Sequence, residues 1–120
     1  MTDTLFFVHP DEHSPQQIAE AYQLRGWNVV VSPPHADDAL DRMAQAEPVV
    51  AVFCLDGERG GDSRTLATGA LADARIVRPL MVFAGGGAAE VAAARAAAPY
   101  GIFVRMDELA WVLKRLIVKL

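Results

Sequence analysis

The sequence predicts one α/β domain whose parallel sheet is covered by helices on both faces, and three observations lead there. Five short apolar runs recur along 120 residues: Leu5–Val8, Asn28–Val31, Val49–Leu55, Leu80–Ala84 and Gly101–Val104. Most of them are apolar throughout rather than alternating, as strands buried on both faces are. The segments between them are helical in pattern and long enough for right-handed βαβ crossovers. The length suits a single domain over residues 1–120. A chain of this size buries roughly two-thirds of its unfolded surface, enough for a core without staples.

Each element has its own signals. Ser14 is a good N-cap for the first helix, Pro15 fits its first position, and Gln17 completes a capping box three residues after the serine. Ile18, Ala21 and Tyr22 form its apolar stripe, and Gly26 is the expected stop. The second helix should begin near Ala36–Asp38, where acids favour a helix start, and turn Leu40, Met43 and Ala44 inward. Glu47-Pro48 ends it.

The third crossover opens with a polar, glycine-rich loop, residues 56–62, expected to be mobile. The helix after it should face Leu66, Ala70 and Leu71 inward, with Gly69 weakening it. The fourth helix, about Ala88–Ala98, is mostly alanine and can lie close to the sheet before Pro99 closes it. The last helix should start at an Asp107 N-cap. At about 100° per residue, Leu109, Val112, Leu113, Leu116 and Leu120 share one face, while Trp111 and Val118 project from nearly the opposite one.

Composition excludes several classes of function. The hydrophobic fraction is 52% and the net charge −4, which argues against a disordered tail and against a dedicated nucleic-acid binder. No apolar stretch approaches the roughly 20 residues that span a bilayer. The apolar run at Leu5–Val8 lacks a preceding basic region and does not read as a signal peptide. One cysteine, Cys54, allows no intrachain disulfide and fits a reducing compartment. The expected location is the cytoplasm.

The residues at the carboxyl ends of the runs carry the chemistry. The first run is followed by His9-Pro10-Asp11, and its distance to Gly26-Trp27 leaves no gap in register. The third reads Val52-Phe53-Cys54-Leu55-Asp56, with Cys54 six residues after Pro48. The fourth ends in Ala84 and the fifth in Arg105-Met106. Across the whole chain this spacing resembles the response-regulator receivers, a family of the flavodoxin-like fold. The resemblance implies a three-layer sandwich of five βα units with strand order 2-1-3-4-5.

It also implies a phosphoryl pocket whose residues are mostly missing. Receivers place a metal-holding acidic pair where this chain has His9 and Pro10, leaving only Asp11 as a nearby carboxylate. The phosphoacceptor aspartate falls on Cys54, with Asp56 two residues later and on the same strand facing. The hydroxyl residue of the fourth strand is Ala84, and the Lys-Pro after the fifth is Arg105-Met106. Arginine keeps the charge but not the compact geometry of lysine. Phosphoryl transfer depends on positioning and charge stabilisation by metal and cations. Losing several of these parts at once points to a degenerate pseudo-receiver, a non-enzymatic signalling or interaction domain independent of phosphorylation. An atypical receiver using Asp56, Asp11 and Arg105 is the alternative.

A third reading belongs to another class. His9, His13 and His35 all follow strands on one edge, near Cys54, Asp56, Asp11 and Glu12, a mixed donor set for a metal or small ligand. Their spacing is not a tight ligand motif, and no metal site is assigned. A lone cysteine within an apolar run reads as a small buried hydrophobe rather than a nucleophile. Gly85-Gly86-Gly87 lacks the lysine of a P-loop and the spacing of a dinucleotide fingerprint, so it reads as a turn. Asp37-Asp38 and Asp11-Glu12 read as helix-start acids, and Ser32 and Ser63 belong to no nucleophile set. No cofactor, nucleic acid or membrane is expected. The expected partner is another protein or a second copy, bound through the fourth helix, fifth strand and last helix, with Trp111 and Val118 as anchors.

Overall fold

The computed structural model describes residues 3–9, 14–35, 37–56, 60–77 and 79–119, with the side chains of 60, 61 and 117–119 outside that set. Elements run in the order β1 (Asp3–Val8), α1 (Pro15–Ala21), β2 (Trp27–Ser32), α2 (Ala39–Ala46), β3 (Val50–Cys54), α3 (Gly60–Ala72), β4 (Leu80–Ala84), α4 (Ala88–Ala97), β5 (Ile102–Val104), a 3₁₀ turn (Met106–Glu108) and α5 (Leu109–Lys119). The strands form one sheet in the order β2-β1-β3-β4-β5, with every neighbouring pair parallel. This is the five-stranded flavodoxin-like arrangement, with the strand order that the resemblance implies.

The period of two along each strand builds two cores. Phe6, Val8, Ala51, Phe53, Met81 and Phe83 point to the layer holding Met43 of α2, Leu66, Ala67 and Ala70 of α3, and Ala94 of α4. Leu5, Phe7, Val50, Val52, Cys54, Val82 and Ala84 point to the other layer, with Ile18 of α1 and Leu109 and Leu113 of α5. Every residue of β3 is buried, which is why its sequence shows no alternation. In the first layer three phenyl rings stack across adjacent strands, Phe53 on Phe83 at 5.4 Å and Phe83 on Phe103 at 5.0 Å between centroids. A side chain at Gly101 would sit 2.7 Å from the Phe83 ring, so the stack needs glycine there.

One side chain of α2 reaches the open edge of β2. The Ser32 carbonyl takes the His9 N–H on the β1 side. The Val31 carbonyl therefore faces outward, where Arg42 Nη2 donates to it at 2.9 Å.

The helices differ from the sequence expectations in four places. Ser14 and Gln17 form the expected reciprocal capping box, with Pro15 first in the helix. However, α1 ends at Ala21, well before Gly26. Gln23 takes the left-handed conformation (φ 56°), Leu24 N–H donates to Ala19 O at 2.7 Å, and Gln23 N–H donates to Glu20 O at 3.2 Å. This is a Schellman stop, and the buried Leu24 supplies its hydrophobic contact. Gly26 (φ 90°) belongs instead to the turn into β2. Ala21, expected on the inner stripe, is exposed, whereas Tyr22 is half-buried against the core.

The second difference is at α3, which begins at Gly60, inside the stretch expected to be loop. The third is on its face: Ser63, Leu66, Ala67 and Ala70 are buried at helical spacing, while Leu71 lies off that stripe at 47% exposure. The fourth is at the last helix, where Asp107 is not an N-cap but lies within the 3₁₀ turn. There the Arg105 N–H donates to Glu108 Oε1 at 3.2 Å, so Glu108 caps the turn from within.

Candidate functional site

The carboxyl edge of the sheet gathers the candidate residues through strand register. Cys54 pairs with Ala84, and Ala84 with Val104. Val8 pairs with Phe53, which brings the end of β1 to the same edge. Pro10, Asp11, Glu12 and His13 lie outside the described residues.

Cys54 is buried at 2% exposure, on the layer formed with Phe7, Val82, Ala84, Leu109 and Leu113. Burial, and then the nearby Asp56 charge, push its thiol from its ordinary 9.0 up to about 12. The sulfur is therefore held protonated at neutral pH, which disfavours a thiolate nucleophile.

Asp56 stands two residues beyond the strand and is exposed, but its carboxylate has a partner. Gly86 N–H donates to Asp56 Oδ1 at 2.7 Å. A side chain at Gly85 would collide with that carboxylate, so the diglycine backbone is what lets the aspartate approach. Leu55 continues the ladder beneath it, its N–H donating to Ala84 O at 2.9 Å.

Arg105 follows β5 and is largely exposed. Its Nε lies 3.3 Å from both Asp107 Oδ1 and Glu108 Oε1, so its charge is balanced within its own turn. Asp56 and Arg105 nevertheless line one open cleft of about 400 Å³. Gly85, Gly86 and Phe103 line it too, and so does Arg95, whose guanidinium lies 4.9 Å from the Phe103 ring centroid. The alanine-rich α4 gave no sequence signal for Arg95, and Phe103 read only as core. Three-dimensional register is what joins them.

Tyr22 is a second residue that the sequence reading treated only as core. From the end of α1 its ring reaches within 5.2 Å of Phe7. Its hydroxyl is pushed above its ordinary value first by burial, then by Cys54 and Asp56. The tyrosine thus borders the carboxyl edge from the α1 side.

Of the three histidines, His13 lies outside the described residues. His9 is half-buried with its ring 5.8 Å from Phe7, and His35 is exposed. Among the described residues no group of three His, Cys, Asp or Glu side chains is arranged to hold a metal. Trp111 projects from α5 at 59% exposure, and the Arg115 guanidinium lies 4.8 Å from its ring centroid. Its expected companion Val118 has its side chain outside the described set. No described helix is long and apolar enough to cross a membrane.

No protein-family model matches the chain, and no curated protein does. Solved structures do. The chain is similar to the signal receiver domain of a modulated diguanylate cyclase from Desulfovibrio desulfuricans G20, with 14% identity, a TM-score of 0.67, and coverage of 99% of this chain and 93% of that one. It is also similar to a protein fused to residues 181–211 of the yeast Spc42 trimeric coiled coil, with 18% identity, a TM-score of 0.66, and coverage of 99% of this chain and 76% of that one. At these identities the likeness establishes a receiver-like fold.

Proposed function

We propose that this chain is a receiver-like signalling domain that works through protein contacts and not through phosphoryl transfer. The observation that carries the reading is the residue at the end of β3. Where a receiver needs an ionised acceptor, this chain has a buried thiol held protonated, aligned with an alanine on β4. The charge and hydroxyl that phosphoryl transfer needs at those two places are missing. Arg105 is balanced by its own acidic neighbours, which leaves it a weak substitute for the receiver lysine. On this reading the domain is not an enzyme. It acts in the cytoplasm, where its one reduced, buried cysteine is at home.

The contact surface we assign is the face of α4, β5 and α5, anchored by Trp111. An exposed tryptophan steadied by a stacked arginine is the side-chain type that dominates interface energetics. The occupant is a protein partner or a second copy of the chain.

The competing reading makes Asp56 a phosphoacceptor, and one observation favours it: Asp56 is exposed and shares its cleft with Arg105. An amide-resolved NMR titration with Mg²⁺ and beryllofluoride, a mimic of an acyl phosphate, separates the two. Our reading expects the amides of Asp56, Ala84 and Arg105 to stay in place. Joint, saturating shifts of those peaks would establish Asp56 as an acceptor and overturn it.

A further inference from the structure

We infer that Asp56 is a positioning residue whose carboxylate latches the loop between β4 and α4, and that this latch sets the shape of the cleft between α4 and β5. The latch stands on geometry alone; its bearing on partner contacts rests on the function proposed above.

Three connections meet in the loop of residues 85–87. Gly85 N–H donates to Val104 O at 2.9 Å, tying the loop to β5. Gly86 N–H donates to Asp56 Oδ1 at 2.7 Å, tying it to the end of β3. Gly87 caps α4, its carbonyl taking the Val91 N–H at 3.0 Å. A carboxylate at the end of one strand therefore fixes where α4 begins relative to β5.

The backbone is shaped for this contact. Gly85 and Gly86 both have positive φ, 75° and 88°, which other residues adopt only with strain. A side chain at Gly86 would lie 2.8 Å from Leu55 Cβ, and one at Gly85 would strike the Asp56 carboxylate. Two glycines are needed because the loop presses against both Leu55 and Asp56. A backbone N–H bonded to an ionised carboxylate is also stronger than one bonded to a neutral acceptor. The same cleft is lined by Val91, Arg95, Phe103 and Met106, so displacing the loop should be felt there.

The test compares amide spectra and hydrogen exchange of the full chain with those of Asp56→Ala and Asp56→Asn. In Asp56→Ala the Gly86 amide proton should move upfield, and its exchange should quicken about tenfold or more. The amides of Val91, Arg95 and Phe103 should shift with it. Asp56→Asn keeps an oxygen acceptor and should hold Gly86 near its original position. An unmoved Gly86 in Asp56→Ala, or an asparagine variant as disruptive as the alanine one, would overturn the latch. So would changes that stop at Gly86 and leave the cleft untouched.

If Asp56→Ala does not fold, a through-bond coupling between Gly86 N and Asp56 Cγ in the unaltered protein decides the matter, its presence supporting the latch and its absence refuting it. Beryllofluoride binding to a protein whose latch is intact when free would remove the phosphorylation-independent reading and leave the latch standing.

Discussion

Cys54 has the chemistry of a core residue. The apolar run around it foretold its place on a strand and its burial. The effect of burial on the thiol needed the structure, because the core layer it joins draws on α1 and α5 as well as on neighbouring strands. Restoring a carboxylate by Cys54→Asp would bury an unpaired charge, and we expect a loss of about 3 kcal/mol in urea unfolding. The thiol itself should resist alkylation in the native state at pH 8 and react fully once the chain is unfolded. Its raised value also has a signed effect on stability. An unfolded thiol ionises near 9.0 and the folded one near 12, so the contribution is complete below pH 9 and is lost as pH rises toward 12. The Asp56 contact was less legible: the sequence shows an aspartate and three glycines 30 residues apart, and nothing local says that they meet.

Strands were the most readable elements, because burial on both faces writes a continuous apolar run. Helix ends were less so. Gly26 advertises a helix stop, but a glutamine performs the stop three residues earlier, since burying Leu24 outweighs the strain of a left-handed Gln23. That strain is removable. Gln23→Gly should raise stability by about 0.5–1 kcal/mol, measured by thermal or urea unfolding, because glycine takes the same backbone freely. A loss of stability would mean that the glutamine side chain matters to the stop. The lead-in to α5 departs from its expected cap for a related reason. Asp107 has the composition of an N-cap, yet Glu108 folds back onto the Arg105 N–H first and closes a tighter turn. In α3 the error was of phase: adding Leu71 to the stripe of Leu66 and Ala70 ignores that five residues turn a helix about 140° past a full turn.

For the molecule as a whole, the strand order is the one that the resemblance to receivers implies, and the two cores follow from the alternate facing of residues along each strand. What sequence patterns do not reveal is which exposed apolar groups belong together. Val77 at 86% and Tyr100 at 94% exposure both lie near the amino-terminal ends of strands, away from the carboxyl-edge cleft. Trp111 is different in kind, since its helix packs on the sheet through Leu109 and Leu113 without using it. Trp111→Ala should therefore change folding stability by less than about 0.5 kcal/mol. Sedimentation should show weakened self-association, or a pull-down a lost partner. A variant whose associations match those of the unaltered chain would exclude α5 as the contact face.

The two tryptophans occupy opposite environments, and that has an optical consequence. Trp27 is buried at 7% exposure, and Trp111 is open at 59%. The native emission is then a sum of a blue-shifted component that iodide cannot reach and a red-shifted one that it can. Docking on α5 would shield the second without disturbing the first, so the unlabelled domain carries both its own signal for occupancy and its own internal standard.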